Sequence, residues 1–251
     1  MVVLLTLLVG FLCGLMNTVV SSGSVVTLPL LLFLGLAPAA ANATNRLPVM
    51  VAAAVATVTF MRSGLIDSRL AMKILVPSTA GAFCGIQLAM RMRPHDLELL
   101  MLLAILIALV LLLGRARQAL LQTVESVPQV GLPQAITLFF VGLWLGLIVL
   151  DGAAFLLLAL ILSVGMPMAM ANAYKNLVLA ITSVLAVMMF AEQGVVDWRI
   201  GGQLAIGGLV GGIAGAKIAL APAATRWIYR LLVIIIMIEL LHVAWKYAVP
   251  Q

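Results

Sequence analysis

Charged side chains are scarce in this sequence: Asp, Glu, Lys and Arg make up 9% of its 251 residues, whereas 65% are hydrophobic. A soluble domain carries about 25% charged residues, so the chain lacks the polar surface of a soluble enzyme or a disordered chain. The formal net charge of +6 comes from 14 Lys and Arg residues that are spread singly between apolar segments, which argues against a nucleic-acid partner. The composition predicts an all-α polytopic membrane protein whose partner is the lipid bilayer.

Residues that build catalytic and metal sites are also few, with two Cys and two His in the whole chain. Cys13 and Cys84 lie inside apolar runs, where cysteine packs as a small hydrophobic residue. No metal-ligand spacing and no Gly-x-x-x-x-Gly-Lys-Ser/Thr phosphate-binding motif is present. We therefore predict no enzyme activity, no metal, no cofactor and no ATP site on this chain.

The sequence contains ten apolar stretches. A transmembrane helix needs about 20 apolar residues, and six of the stretches meet or approach that length. The stretches that begin at Val25 and Ala153 are much shorter, about 18 Å of helix, and predict half-helices that enter the membrane without crossing it. The ten stretches span residues 2–20, 25–36, 47–61, 70–90, 97–113, 135–150, 153–164, 177–190, 200–221 and 228–248.

The two halves of the chain match each other at an offset of 130 residues without a gap. Ala41-Asn42-Ala43 falls on Ala171-Asn172-Ala173, and a Gly-x-x-Asp-x-Arg turn and a Gly-x-x-x-Gly pair recur in both halves. We predict a first repeat at 1–114, a cytoplasmic linker at 115–133 and a second repeat at 134–251. Each repeat is expected to hold a broken helix/half-helix hairpin and three longer transmembrane helices. The matched turn and pair residues are Gly64, Asp67, Arg69, Gly81 and Gly85, which fall on Gly194, Asp197, Arg199, Gly211 and Gly215.

The relative orientation of the halves depends on the hairpins. If each hairpin returns to its own side, each half crosses the membrane an odd number of times and the halves are inverted; otherwise they are parallel. The distribution of Lys and Arg among the loops is equally biased in both arrangements. We prefer inverted repeats, because broken helices at equivalent places in such repeats commonly form a binding site at the membrane midplane.

The breaks supply the first candidate site residues. Unpaired backbone groups cost several kcal/mol each in hydrocarbon, so an unwound stretch must be buried in protein or line a cavity. A half-helix that begins near Ser24 presents N–H groups to an anion; the alternative is a close helix contact between small residues. The candidate substrate-binding residues at the breaks are Asn17, Ser21, Ser22, Gly23, Ser24, Asp151 and Gly152.

A second polar element follows each half-helix. We expect it to open a long helix, where Asn is a good N-cap. Arg46 and Lys175 would then lie at the unfavourable end of the helix dipole and attract an anion, either the substrate or a lipid phosphate. The candidate substrate-binding residues in these elements are Asn42, Thr44, Asn45, Arg46, Asn172, Tyr174, Lys175 and Asn176.

Lone carboxylates complete the set of candidates. Glu239 near the middle of the last apolar stretch and Asp151 at the second break are candidates for proton coupling, because an ionisable group at membrane depth is functional by default. For Glu239 the alternative is a structural pair with Lys217. Asp67 and Asp197 lie in short turns, where we expect them to cap helices.

The duplicated order of these features resembles the sulfite exporter TauE/SafE family of membrane transporters. In each half a glycine-containing break, an apolar half-helix, a Gly (Gly35, Gly165), the Gly-x-x-Asp-x-Arg turn and the Gly-x-x-x-Gly helix follow one another; the first half adds Pro29 and the helix start at 42–45. The resemblance covers nearly the whole chain. It departs at Ser22-Gly23-Ser24, where the family usually has three glycines, and at Gly152-Ala153-Ala154, and Ala159 stands where Pro29 would have its partner.

The resemblance implies export of small anions such as sulfite, sulfonates or organosulfur acids across the bacterial cytoplasmic membrane. We therefore expect a secondary transporter for a small organic or sulfur-containing anion, with coupling to protons as a further hypothesis. A passive anion channel and a membrane-embedded lipid-modifying enzyme are the alternatives. The sequence does not define the substrate, the direction of transport, the coupling ion or the oligomeric state.

Overall fold

The computed structural model describes residues 2–21, 23–92, 128–148 and 152–221, and within these ranges it contains eight α-helices and no strand. Five of the helices, α1, α3, α4, α7 and α8, are long and apolar enough to cross a membrane, so the prediction of an all-α polytopic membrane protein is confirmed. The apolar stretches 97–113 and 228–248 lie outside the described residues. The helices are α1 (Val2–Val20), α2 (Ser24–Phe33), α3 (Pro38–Arg62), α4 (Ser68–Ala89), α5 (Leu132–Leu147), α6 (Gly152–Leu162), α7 (Met168–Glu192) and α8 (Trp198–Ala219).

The two longest helices, α3 and α7, begin well before the apolar runs that predicted them. The sequence predicted that Asn42 and Asn172 cap these helices, but α3 begins at Pro38 and α7 at Met168, so both expected starts are wrong by more than one turn. The residues before each Asn, which are mostly Ala and Met, form the first turn. Pro38 stands in the first turn of α3, where a proline is tolerated since its missing N–H would have no helical partner. The polar elements at 42–46 and 172–176 are thus helical and internal.

Helix ends recur at the offset of the sequence match. Both ends of α3 and α7, and both ends of α4 and α8, differ by 130 residues. Glycines with positive φ follow the short helices (Gly35, +88°; Gly165, +80°) and the long helices (Gly64, +73°; Gly194, +69°), a backbone conformation that glycine adopts without a Cβ clash. These regularities agree with the predicted duplication.

Two pairs of helices, each with one helix from either half, pack closely through glycine: α1 with α8, and α4 with α5. A Cβ at Gly10 would overlap the backbone of Leu204, and a Cβ at Gly14 would overlap Gly208, so α1 and α8 run parallel with their backbones in contact. In the same way Gly142 meets Ser78 and Gly146 meets Ala82, so α4 and α5 run parallel. Small residues allow this approach, which is the usual way for membrane helices to gain packing energy.

The helices α3 and α7 pack against each other and run in opposite directions. Near the start of α7, the Tyr174 hydroxyl accepts a hydrogen bond at 2.8 Å from the N–H of Asp67, which follows the end of α3. Near the start of α3, the Thr44 hydroxyl accepts one at 3.0 Å from the N–H of Asp197, which follows the end of α7. Each start therefore lies beside the other helix's end, which makes the pair antiparallel.

Each short helix folds back along the helix before it. A Cβ at Gly23 would meet Asn17 of α1, and Thr27 contacts Cys13 one turn further down, so α2 returns beside α1. In the second half a Cβ at Gly152 would meet Leu145 of α5. At the other end of that pair the Gln134 amide donates to the Ser163 carbonyl at 3.3 Å. Both helix pairs are hairpins, and each break lies at a hairpin tip.

Candidate functional site

The first break is a buried polar turn between α1 and α2. Ser21 has a φ of +76°, a left-handed conformation that costs a non-glycine residue roughly 1–3 kcal/mol and persists only where the surroundings enforce it. The predicted break from Asn17 to Ser24 is longer than the observed one, because α1 continues to Val20. Asn17, Thr18 and Ser21 are buried, at 3%, 0% and 3% exposure. The last turn of α1 and the turn after it thus form a polar cluster inside the protein.

The α2 side of this break is held by Asn45 of α3. The Asn45 amide nitrogen donates to the Ser24 hydroxyl at 2.9 Å, and the Thr27 hydroxyl donates to the Asn45 carbonyl oxygen. All three side chains are buried. Asn45 therefore fastens the start of α2 to the long helix of its own half, which fixes the position of the first hairpin tip.

Lys175 of α7 reaches the α1 side of the same break. Its ammonium group donates to the carbonyl oxygens of Asn17 at 2.8 Å and Thr18 at 3.2 Å. Carbonyls in the last turn of a helix have no intrahelical partner and lie at the negative end of the dipole. A cation from the second half thus caps the broken helix of the first half.

Arg46 of α3 makes the reciprocal contact at the second break. Its two terminal nitrogens donate to the carbonyl oxygens of Leu145 at 2.8 Å and Gly146 at 3.1 Å, in the last turn of α5. The side chain is 2% exposed. Each half therefore sends one buried cation from its long helix to the broken helix of the other half.

These contacts correct the predicted environment of Arg46 and Lys175. Neither cation lies at a helix start; both lie about two turns inside their helices and face the favourable, carbonyl end of another helix. Asn42 and Asn172 are not N-caps either, since Ala37 and Pro167 occupy those positions. The predicted starts were wrong because each helix includes an apolar first turn before the Asn, formed by residues 38–41 in α3 and 168–171 in α7.

Several buried polar atoms around both breaks have no hydrogen-bond partner among the described residues, and most of them are donors. An unpaired buried donor costs roughly 1–3 kcal/mol, so such a set indicates either water or a ligand. A ligand that satisfies many donors at once is an anion. Such donor groups on the residues of the breaks, or on the cation that reaches one of them, are Asn17 Nδ2, Thr18 Oγ1, Ser21 Oγ, Trp144 Nε1 and Arg46 Nε; the similarly unpaired Asn172 Nδ2 lies one turn before Lys175 on α7.

The charge of the described interior is positive. Arg46 and Lys175 are buried, whereas the described acids Asp67, Glu192 and Asp197 are exposed or half-buried at helix ends. In the described part of the chain neither cation contacts a carboxylate; their partners are carbonyl oxygens. A buried charge whose partners carry only partial charges attracts a mobile ion of opposite sign.

The remaining predicted site residues have different positions. Thr44 and Tyr174 bond to the turns after α7 and α3, and Asn42 is only half-buried. The Asn176 amide donates to the Asn172 carbonyl within α7 at 2.9 Å. Gly23 lies against α1 in the first hairpin, and Gly152 begins α6. Ser22, Asp151 and Glu239 lie outside the described residues.

The prediction that Asp67 and Asp197 cap helices is confirmed. The Asp67 carboxylate accepts the N–H of Leu70 at 2.8 Å, and the Asp197 carboxylate accepts the N–H of Ile200 at 2.9 Å. These two acids stabilise the starts of α4 and α8 and do not reach the breaks.

Sequence reasoning missed three polar side chains that line the hairpins, Thr18, Thr27 and Trp144. Thr27 is a hydroxyl inside an otherwise apolar half-helix, and Trp144 directly precedes the Leu145-Gly146 pair. Thr27 and Trp144 could have been identified from the sequence, since a polar group in a short apolar helix needs a hydrogen-bond partner. The helix-end carbonyls that bind the two cations carried none, because every residue has a carbonyl.

The fold and this site define a class: a polytopic helical membrane protein with two helical hairpins, each of which binds a buried cation from the other half. Over residues 6–240 the chain matches the family described as Sulfite exporter TauE/SafE. The chain belongs to this family, which confirms the resemblance found in the sequence, and it is a multi-pass bacterial membrane transporter.

Curated relatives agree with the family assignment. A probable membrane transporter protein of Xylella fastidiosa is 26% identical over 243 residues, covering 95% of this chain and 92% of the relative. The probable membrane transporter protein ORF9 of a Sinorhizobium species is 27% identical, covering 90% and 86%. The probable membrane transporter protein YfcA of Escherichia coli K12 is 26% identical, covering 85% and 79%. No solved structure matches the chain.

Proposed function

We propose that the protein is a secondary transporter that moves a small organic or sulfur-containing anion, of the sulfite, sulfonate or carboxylate class, across the bacterial cytoplasmic membrane. The observation that carries the proposal is the set of unpaired donors at the breaks, together with two buried cations that contact no carboxylate among the described residues. An anion with several acceptor oxygens satisfies these groups, because charge-assisted hydrogen bonds are the strong ones.

The proposal includes two inverted repeats that place the breaks near the middle of the membrane. Its support is the antiparallel contact between α3 and α7, whose ends are offset by 130 residues. Two further helix pairs agree, since α1 runs with α8 and α4 runs with α5. Hairpins that enter from opposite sides bring two broken helices to one level, which is how many secondary transporters hold an ion between repeats.

The proposal extends to coupling of transport to protons. Its candidates, Asp151 and Glu239, lie outside the described residues, and Asp151 directly precedes α6 at the second break. A carboxylate at membrane depth can load and release a proton as its exposure alternates. Replacing Asp151→Asn and Glu239→Gln fixes each group in its neutral form. A proton-coupled carrier altered in this way loses gradient-driven accumulation but retains substrate exchange.

Transport in proteoliposomes tests the proposal directly. The purified protein is reconstituted, and sulfite, a sulfonate such as taurine, and acetate are offered with and without a pH gradient. A carrier shows saturable uptake and counterflow, in which internal unlabelled anion accelerates entry of labelled anion. A passive channel shows flux without counterflow. Absence of flux for all three anion classes would contradict the proposal and return the lipid-modifying alternative.

A further inference from the structure

The contacts of Arg46 and Lys175 are unusual for buried cations, because each one connects the two halves through backbone. Arg46 runs from α3 of the first half to Leu145 and Gly146 at the end of α5. Lys175 runs from α7 of the second half to Asn17 and Thr18 at the end of α1. Neither contact needs a particular side chain on the partner helix. We call these two contacts the cross-half latches.

Carbonyl oxygens are weaker partners for a buried cation than an anion is. Each carries a partial charge, and the end of a helix amounts to about half an elementary charge. A sulfite, sulfonate or carboxylate group brings at least one full charge, so its Coulomb attraction to a buried cation exceeds that of a partial charge at the same distance. An anion at the breaks therefore competes with the helix-end carbonyls for the same donor groups.

Further hydrogen-bond donors that an anion could use belong to the residues of each latch or to their neighbours in sequence. Among the described residues Arg46 Nε is buried without a hydrogen-bond partner, and so is Nε1 of Trp144, the residue before Leu145. At the other latch, Asn17 Nδ2 and Thr18 Oγ1 are buried and have no hydrogen-bond partner in the described part of the chain; they belong to the two residues whose carbonyls bind Lys175. The unused donors lie on the same residues as the latch, or next to them in sequence.

We propose that an anion binds at these latches by replacing the helix-end carbonyls as the partner of Arg46 and of Lys175, and thereby releases each broken helix from the opposite half. This inference rests on the proposed function, since it assumes that the substrate is an anion. It assigns the two cations a double role: they bind the substrate, and they hold the halves together while the site is empty. Binding then lowers the cost of moving one half against the other, which is the step that alternating access requires.

Trp144 provides a reporter of the Arg46 latch. The chain has four Trp, so replacing Trp198→Phe, Trp227→Phe and Trp245→Phe leaves Trp144 as the single indole. Its ring packs edge-on against the ring of Phe155, with 5.9 Å between the ring centroids. Trp144 directly precedes Leu145, whose carbonyl oxygen binds Arg46. Sulfite titrated into this purified variant is expected to produce a saturable change in fluorescence.

Substitution of the cations separates binding from support of the fold. In Arg46→Gln and Lys175→Gln we expect the apparent Kd for sulfite, and the KM for transport, to rise at least tenfold. Arg46→Lys keeps the charge but reaches fewer carbonyls, so it is expected to restore part of the affinity. Arg62→Gln is the matched control, because it makes the same change on the same helix at an exposed position. A purely structural role would lower thermal stability in Arg46→Gln and leave Kd unchanged, which would overturn the proposal.

A second measurement uses the unaltered protein and does not depend on a variant that folds. Hydrogen exchange at the last turn of α5, which includes the N–H of Ile148 bonded to Trp144 at 3.0 Å, is followed with and without saturating sulfite. Release of the latch predicts faster exchange there when the anion is bound. Unchanged or slower exchange in a protein that does transport sulfite overturns the latch and leaves the proposed function standing. Absence of transport for every anion class overturns both.

Discussion

In the first hairpin four of the ten residues of α2 are buried, whereas in the second hairpin nine of the eleven residues of α6 are buried. The buried residues of α2 include Ser24 and Thr27, which bond to Asn45; those of α6 are glycine, alanine, leucine and isoleucine. The two hairpins have the same form, but one supplies polar contacts and the other supplies part of the hydrophobic core.

The difference lies in the side chains and not in the positions of the helix ends. The helix ends and the positive-φ glycines recur at one offset, so the backbone plan is shared. The polar side chains differ: the first half has Asn45 and Arg46, and the second half has Lys175 and Asn176 at the equivalent two positions. Each half keeps one amide and one cation but in the opposite order. An anion between the halves would therefore meet two different surfaces.

The largest effect is expected from substitutions at the equivalent glycines of the close helix contacts, Gly81 and Gly211. Gly81→Ala and Gly211→Ala each place a Cβ onto a backbone carbonyl, of Phe139 and of Phe11 respectively. Backbone cannot move aside as a side chain can, so we expect each variant to lose about 3 kcal/mol of stability. Thermal unfolding in detergent, monitored by size-exclusion chromatography, measures the loss.

The control for this pair is Gly202→Ala, where a Cβ on α8 meets nothing within 4 Å. It should be neutral or gain up to about 1 kcal/mol from helix propensity. A loss at Gly211 with none at Gly81 would show that the two close helix contacts are not equivalent.

The asymmetry of the site is sharpened by its two equivalent asparagines. Asn172 is 1% exposed and its Nδ2 has no hydrogen-bond partner among the described residues, whereas Asn42 is half-buried. Asn172→Leu should weaken anion binding by roughly 5- to 150-fold, the equivalent of about 1–3 kcal/mol for a lost buried partner. Asn42→Leu should change it less than threefold. Kinetics of anion uptake in proteoliposomes, normalised to the amount of folded protein, compares them; equal effects at both positions would contradict the assignment.

The smallest effect is expected at the two equivalent helix caps, Asp67 and Asp197. Asp67→Ala and Asp197→Ala each remove a cap of the same geometry from the start of α4 or α8. Each should cost about 1 kcal/mol of stability and leave the KM for transport unchanged. Denaturation midpoints that differ clearly between the two variants would show that the turns have diverged.

The parts of this structure that could be predicted from the sequence are those determined locally. The caps at Asp67 and Asp197 and the turns at Gly64 and Gly194 depend on a few neighbouring residues, so their patterns were sufficient. The short lengths of α2 and α6 followed from the length of their apolar runs.

The parts that could not be predicted depend on distant contacts. Arg46 and Leu145 are 99 residues apart in sequence, and no pattern in the chain marks a carbonyl as the partner of a cation. The start of α3 was misplaced for the same reason, since Asn45 and Arg46 are buried among polar partners that only the folded chain supplies. The candidate list thus included both cations but gave them the wrong surroundings.

We propose that two equivalent halves face opposite sides of the membrane around one anion site. Ser63 and Gln193 test it most directly, because they occupy the same position after α3 and α7, 130 residues apart, and both are exposed. In a background with Cys13→Ala and Cys84→Ala, Ser63→Cys and Gln193→Cys are labelled with a membrane-impermeant maleimide in right-side-out and inside-out vesicles. Inverted halves predict that the two positions react in opposite vesicle preparations; reaction of both in the same preparation would contradict the account.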